Sequence, residues 1–302
     1  MKAVVLHEYG GTKHLKYETF PDPVPGPGEV LVRVHAVSIN PIDWKMRSGA
    51  AKERFPVTFP AVLGRDVAGT VQSLGEGVTE FHVGDRVFAL AVATYAALCV
   101  VKAADLAHIP EGLDMTVAAT IPLVALTADQ LIHRATKAEA GQTVLLTGAL
   151  GSVGRMALYC LHEMGCKVIA GVRKKQIAEA LALGCIAAID ITDDHEIAKL
   201  GLVDAMADTV GGETGTKLIV KVKPGGVLGT VVTPPPNAAL NPTVEVNRIM
   251  AVPDPATVIH YAEAVREGKL ALPIECVMPL AEAAEAQAIA EKGGVGKILL
   301  TA

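Results

Sequence analysis

Three glycines stand at 148, 151 and 154 in the segment Thr147-Gly-Ala-Leu-Gly-Ser-Val-Gly154. Glycines at this spacing permit a tight turn, close approach of backbone to a pyrophosphate, and close packing of a helix on a strand. The N–H groups of residues 151–153 would then donate to phosphate oxygens from a helix N-terminus. Gly148, Ala149, Gly151, Ser152, Val153 and Gly154 are therefore the candidate cofactor cradle. A glycine turn alone is weak evidence, because many strand-to-helix turns use glycine only for its positive φ. Here the flanks agree with the nucleotide reading. Thr143–Thr147 is a short apolar run. After the turn, Val153, Met156, Ala157, Cys160, Leu161 and Met164 fall on one helical stripe, and Gly165 follows as a helix stop.

The next strand end discriminates between cofactors. An NAD site places a carboxylate about 20 residues beyond the glycines to bind the ribose 2′-hydroxyl. This chain has Gly171-Val-Arg-Lys-Lys175 there, with no acid before Glu179. Arg173, Lys174 and Lys175 would attract a 2′-phosphate that a carboxylate would repel. Adjacent lysines are also ordinary on a solvated surface. Cations opening a helix oppose its macrodipole, however, and an anion would compensate them. NADPH is the expected cofactor.

These residues need a frame, and the rhythm of the apolar positions supplies one. The 302 residues predict two domains. Up to about residue 110 the chain reads as strands and turns. In Glu29–Val37, Val30, Val32, Val34 and Ala36 share one face while Arg33 and His35 take the other. Val67–Val71 and Asp85–Leu90 read similarly. Beyond residue 115, short strands alternate with amphipathic segments: strands at 167–172, 186–189, 203–207 and 227–232, and helices at 174–183, after Asp193, and at 255–267. Repeated β-α-β units imply a parallel sheet covered by helices. Lys297–Thr301 closes the chain as a strand.

Composition narrows the partners. Apolar residues make up 51% and charged residues 20%, which supports substantial cores and excludes a disordered chain. A formal net charge of −5 without a basic block argues against nucleic acid. The five dispersed cysteines include no C-x-x-C pair and read as reduced, mostly buried thiols. The N-terminus turns polar too early for a signal peptide. The apolar run Val87–Val101 is shorter than the ~18 residues of a membrane span. A soluble cytoplasmic protein is expected.

The chain resembles the zinc-independent medium-chain dehydrogenase/reductases, in the quinone and enone oxidoreductase branch related to ζ-crystallin. The resemblance rests on Pro25-Gly-Pro-Gly-Glu-Val-Leu-Val-Arg-Val34, Ser38-Ile-Asn-Pro-Ile-Asp-Trp-Lys45, Leu63-Gly-Arg-Asp-Val-Ala-Gly69 and Val83-Gly-Asp-Arg-Val87. It continues through Leu126-Thr-Ala128, the glycine turn, Asp208-x-Val-Gly-Gly212, Lys223-Pro-Gly-Gly226 and Gly296-Lys-Ile298. It implies a GroES-like, mostly-β substrate domain from residues 1–115 and 269–302, a doubly wound Rossmann domain over 116–268, and a homodimer. It also implies cofactor contacts at Thr127, Val210, Val231 and Lys297. Zinc-dependent relatives carry a cysteine near position 40 and a His-Glu pair where Arg65-Asp66 stand. The histidines form no H-x-x-x-H pair, and a catalytic zinc needs three convergent ligands, so no metal is expected.

The implied reaction is hydride transfer to the β-carbon of a conjugated ketone or to a quinone. Negative charge develops on the carbonyl oxygen and calls for hydrogen-bond donors. Asn40 and Lys45, on the loop after the first long strand, are the candidates, and Lys45 could also assist protonation. Each has a second reading: Asn40 as a turn former before Pro41, Lys45 as a solvated side chain. Asp43 is expected to hold the loop by accepting backbone N–H groups. Tyr95 could line the pocket or be buried. Thr127 is placed near the nicotinamide end, and Trp44 as an anchor of the loop. The alternatives are a one-electron quinone reductase, a non-catalytic NADPH-binding protein and, more distantly, a zinc-dependent alcohol dehydrogenase.

Overall fold

The computed structural model describes residues 1–302, which form two compact units, Met1–Leu123 with Val252–Ala302, and Val124–Ala251. The first opens with β1 (Lys2–Leu6), β2 (Leu15–Thr19), β3 (Glu29–Ser38) and helix α1 (Pro41–Ser48). It continues through β4 (Ala61–Val62), β5 (Asp66–Leu74), β6 (Arg86–Leu90), β7 (Leu98–Lys102), β8 (Leu106–His108) and α2 (Met115–Ala118). β2, β1 and β4 form one small sheet. β3 is the hub of the larger sheet. It pairs with β5 along one edge and with β7 along the other. Its side chains alternate as the sequence predicts, with Val30, Val32, Val34 and Ala36 buried and Arg33 and His35 exposed.

Helix α3 (Pro122–Gln130) carries the chain into the second unit and continues as a π-helical stretch over Leu131–Thr136. There follow β9 (Thr143–Thr147), α4 (Ser152–Glu163), β10 (Lys167–Val172), α5 (Ile177–Ala182), β11 (Ala187–Asp190) and α6 (Asp194–Lys199). The unit ends with β12 (Val203–Asp208), α7 (Gly212–Leu218), β13 (Val222–Thr230) and β14 (Glu245–Arg248). The strand order is β11-β10-β9-β12-β13-β14, with every pair parallel. This is the doubly wound order in which the chain leaves β9 on one side and returns on the other. The crevice at the carboxyl ends of β9 and β12 is where such sheets bind ligands. Leu145, Val203, Met206, Leu218, Ile219 and Leu228 pack the core beneath it. Burying each large aliphatic side chain contributes about 1.5–3 kcal/mol.

The chain then returns to the first unit with α8 (Pro255–Arg266), β15 (Ile274–Pro279), α9 (Ala283–Lys292) and β16 (Lys297–Thr301). β16 pairs antiparallel with the end of β3 and parallel with β15.

Several expectations change here. The sequence bounds placed 252–268 with the nucleotide-binding fold, but α8 groups with the first unit and packs on β8. The segment bearing Asn40 and Lys45 is helix α1 rather than a loop. The predicted helix 174–183 divides into a 3-10 turn, Lys174–Gln176, and α5. One helical run, Met115–Thr136, is long and apolar enough to cross a bilayer by length and composition, and 67% of its most apolar window is buried inside the fold, as in a core helix.

Candidate functional site

The glycine turn of the second unit joins the carboxyl end of β9 to α4. Gly148 has φ +65°, a conformation that favours glycine, and its N–H donates to the Gly171 carbonyl at 2.8 Å. A Cβ on Gly154 would stand 2.0 Å from the Gly148 carbonyl oxygen, so only glycine lets α4 approach the turn. Gly151 is the N-cap of α4 and is exposed, and no side chain caps this helix end. The Gly151 N–H donates to the Gly148 carbonyl at 2.9 Å, so the N–H groups that follow it, uncapped by any side chain, are the ones a diphosphate can use. Ala149 is buried under the turn, while Ser152 and Val153 are partly exposed at the helix start.

The carboxyl end of β12 braces this turn. Asp208 is fully buried and accepts from the Thr147 hydroxyl at 2.7 Å and from the N–H groups of Val210 and Gly211. The Thr209 hydroxyl donates to the Thr147 carbonyl. Val210 lies against Gly148: a Cβ there would sit 3.1 Å from the valine methyl. Val231 donates its N–H to the Asp208 carbonyl at the end of β13. The structure thus brings Val210 and Val231 to the same strand ends as the glycines. Thr127 is a partly buried residue of α3.

Arg173, Lys174 and Lys175 are all exposed at the end of β10. Glu179, the first acid after them, binds Arg155 of α4. The sequence reading missed Asp190, which the parallel register sets opposite Val172. Hydrogen bonds from the Thr192 hydroxyl and backbone hold the Asp190 carboxyl below its usual range, and the nearby Lys174 acts in the same direction. This corner therefore offers three cations, and its two neighbouring carboxylates, Glu179 and Asp190, are already engaged.

The first unit contains a second constellation. Ser38 ends β3, Asp66 begins β5 and Lys297 begins β16, so three element ends meet, with Asn40 as the N-cap of α1. All four side chains are buried. The Lys297 ammonium donates to Ser38 Oγ at 2.7 Å and to Asn40 Oδ1 at 2.8 Å, and lies 3.7 Å from Asp66 Oδ2. The Asn40 amide donates to Asp66 Oδ2 at 2.8 Å and to Ser38. Ser38 Oγ also donates to Asp66, and the Leu123 N–H reaches the other Asp66 oxygen at 2.7 Å.

This network engages two of the expected site residues, Asn40 and Lys297. Both N–H donors of Asn40 are occupied by Asp66 and Ser38, so Asn40 holds no free donor for a substrate oxygen. Lys297 directs its ammonium to Ser38 and Asn40 within the first unit. The buried Asp66 carboxylate draws it into the interior of the first unit, because an isolated charge there is costly. Burial pulls the Lys297 pKa down, and the negative charges of Asp66 and Asp43 partly restore it. Lys45, in contrast, is exposed on α1.

Asp43 lies beside the network. Its Oδ2 accepts from the Asn40 N–H at 2.8 Å, closing a capping box on α1, and from the Tyr95 hydroxyl at 2.7 Å. Its Oδ1 is buried without a partner. Burial pushes the Asp43 carboxyl up to about 7, against the hydrogen bonds from Tyr95 and Asn40. The expected backbone-holding role of Asp43 is what the structure shows, and Tyr95 proves fully buried. Trp44 packs against the core of this unit.

The residues at positions 40, 65 and 66 do not fit a zinc ion. Asparagine and arginine replace thiolate and imidazole, and the Lys297 ammonium already neutralises Asp66. A divalent ion there would meet a buried cation. The glycine turn, by contrast, fits a dinucleotide diphosphate.

Residues 26–118 match the family described as alcohol dehydrogenase GroES-like domain, and residues 183–300 the family described as zinc-binding dehydrogenase. The chain is 34% identical over 261 residues to the mitochondrial NAD(P)H oxidoreductase RTN4IP1 of Mus musculus, covering 78% of this chain and 66% of that protein. It is 33% identical to a quinone oxidoreductase of Pseudomonas aeruginosa, covering 75% and 72%. A 2-haloacrylate reductase of a Burkholderia species is 31% identical, covering 74% and 71%. Among solved structures, a quinone oxidoreductase from Coxiella burnetii superposes with a TM-score of 0.91 at 29% identity over 100% of this chain and 99% of that one. A mycobacterial protein complexed with NADPH superposes with a TM-score of 0.83 at 27% identity over 100% of both.

Proposed function

The chain belongs to the medium-chain dehydrogenase/reductases, in their quinone oxidoreductase branch, and from that membership we propose an NADPH-dependent, zinc-independent oxidoreductase of quinones or enones. The observation that carries this reading is the uncapped glycine N-terminus of α4 followed, one β-strand later, by three exposed cations and no free acid. NADPH, when bound, supplies the hydride. Gly148, Ala149, Gly151, Ser152, Val153 and Gly154 bind its diphosphate, and Arg173, Lys174 and Lys175 its 2′-phosphate. Thr127, Val210 and Val231 complete its contacts. The NADPH complex of the mycobacterial neighbour supports this choice of cofactor.

The substrate is a small molecule with a carbonyl conjugated to a double bond. The names of the Pseudomonas and Burkholderia relatives support quinones and activated alkenes respectively. Lys45 is the residue that donates to the carbonyl oxygen as charge develops. Asn40 acts as a positioning residue: it ties Lys297 and Asp66 to the start of α1 and so holds the helix that bears Lys45. The family points to a homodimer, and five free cysteines suit a reducing compartment such as the cytoplasm.

The decisive experiment is NADPH oxidation by the purified protein against enones, ortho- and para-quinones and simple aldehydes, with NADH in parallel. Turnover of the first two classes with preference for NADPH is expected. Activity confined to aldehydes, or silence across the panel, would overturn the reading.

A further inference from the structure

We propose that Asp129, His133 and Cys160 form a metal-binding site in the second unit, suited to Zn²⁺. Cys160 Sγ lies 3.5 Å from His133 Nε2, Asp129 Oδ1 lies 3.6 Å from the same nitrogen, and the three ligand atoms all fall within 4.8 Å of one another. Zinc bonds nitrogen and oxygen at about 2.0–2.1 Å and sulfur at about 2.3 Å, which makes the edges of its tetrahedron roughly 3.3–3.6 Å. The separations of 3.5 and 3.6 Å match such edges, and the third pair lies within 4.8 Å.

The direction of approach strengthens the case. Thiol and carboxylate converge on one ring nitrogen, Nε2. A histidine relaying protons between a cysteine and an aspartate would use its two nitrogens separately, one for each partner. Three donor atoms clustered within 4.8 Å can share one cation. Their chemistry agrees: thiolate, imidazole and carboxylate are all zinc ligands, and the two anionic groups together neutralise a divalent ion.

The fold builds this triangle locally. Asp129 and His133 are four residues apart where α3 passes into its π-helical stretch, so both side chains take one face. Turns of π-helix recur at functional sites. Cys160 comes from α4, which packs on that stretch. Cys160 is buried, Asp129 half-buried, and His133 is 47% exposed, which leaves a side open for entry and for a fourth ligand. Cys160 lies eight residues beyond Ser152, about 12 Å along α4 from the glycine turn. The ion would clip α3 to α4 at a distance from the diphosphate cradle.

Cobalt(II) is the probe, added to the full-length protein after chelator treatment. A thiolate-to-cobalt charge-transfer absorption is expected, displaced by Zn²⁺ and absent in Cys160→Ser. His133→Ala alters a half-exposed side chain, so its far-ultraviolet circular dichroism should match the parent while cobalt affinity falls by more than about tenfold. Absence of the charge-transfer band in the parent, its survival in Cys160→Ser, or unchanged affinity in His133→Ala would each overturn the proposal.

Discussion

Lys297 donates from its buried ammonium to the side-chain oxygen of Asn40 at 2.8 Å, across 257 residues of sequence. The contact exists because β16 pairs antiparallel with the end of β3, which sets the first residue of one strand beside the last residues of the other. Asp66, 3.7 Å from the same ammonium, makes the arrangement electrostatically necessary. A lysine that family resemblance assigns to the cofactor thus acts as an internal counter-ion to Asp66.

Replacing that counter-ion should cost stability before it costs cofactor affinity. Lys297→Met leaves Asp66 buried and unpaired, a change worth about 3–5 kcal/mol of destabilisation. Denaturant melts should show this loss, while NADPH titration of the folded protein should match the parent. Intact stability with lost NADPH affinity would return Lys297 to the cofactor.

Asp43 makes stability depend on pH in a definite direction. Its carboxyl is raised from an ordinary 3.8 to about 7 in the folded protein, chiefly by burial. Between those values the folded state retains a proton that the unfolded chain has released. The stabilisation from Asp43 is therefore complete below 3.8 and lost as pH rises through about 7. Asp43→Asn keeps an acceptor for Tyr95 and Asn40 but cannot titrate. Across this window the parent should lose stability relative to the variant as pH rises, and a constant difference would refute the assignment.

The turn geometry can be tested at Gly154. Gly154→Ala places a methyl 2.0 Å from the Gly148 oxygen, so the turn must open. A loss of about 1–3 kcal/mol is expected, with NADPH affinity weakened more than about tenfold. Gly201→Ala, where a Cβ meets nothing within 4 Å, is the matched control. Equal NADPH affinity in both variants would remove the cradle from its role.

The basic corner predicts selectivity. Arg173→Ala combined with Lys174→Ala should weaken NADPH by about two orders of magnitude and leave NADH within a factor of about three, since only the former bears the 2′-phosphate. Equal losses for both cofactors would show that these side chains do not read that group.

The proposed role of Lys45 as donor to the developing oxyanion has a direct kinetic test. Lys45→Met should lower kcat by about 10²-fold while NADPH affinity stays constant. Because Lys45 is exposed, the variant should fold as the parent does. An unchanged kcat would clear it of the role.

Local sequence determined much of this protein. The apolar alternation of Glu29–Val37, the stripe from Val153 to Met164 and the three glycines of the turn each specify their element through contacts within a few residues, and β3, α4 and Gly148 formed accordingly. Spacing and backbone conformation are local properties, so they can be read before any tertiary contact is known. Only the folded chain decided the burial of Lys297, the occupation of the Asn40 amide, the partnership of Asp43 with Tyr95 and the meeting of Asp129, His133 and Cys160. Those outcomes depend on strand register and on helix packing between segments far apart in sequence. The charge state and reach of a buried side chain follow from what the rest of the chain places beside it.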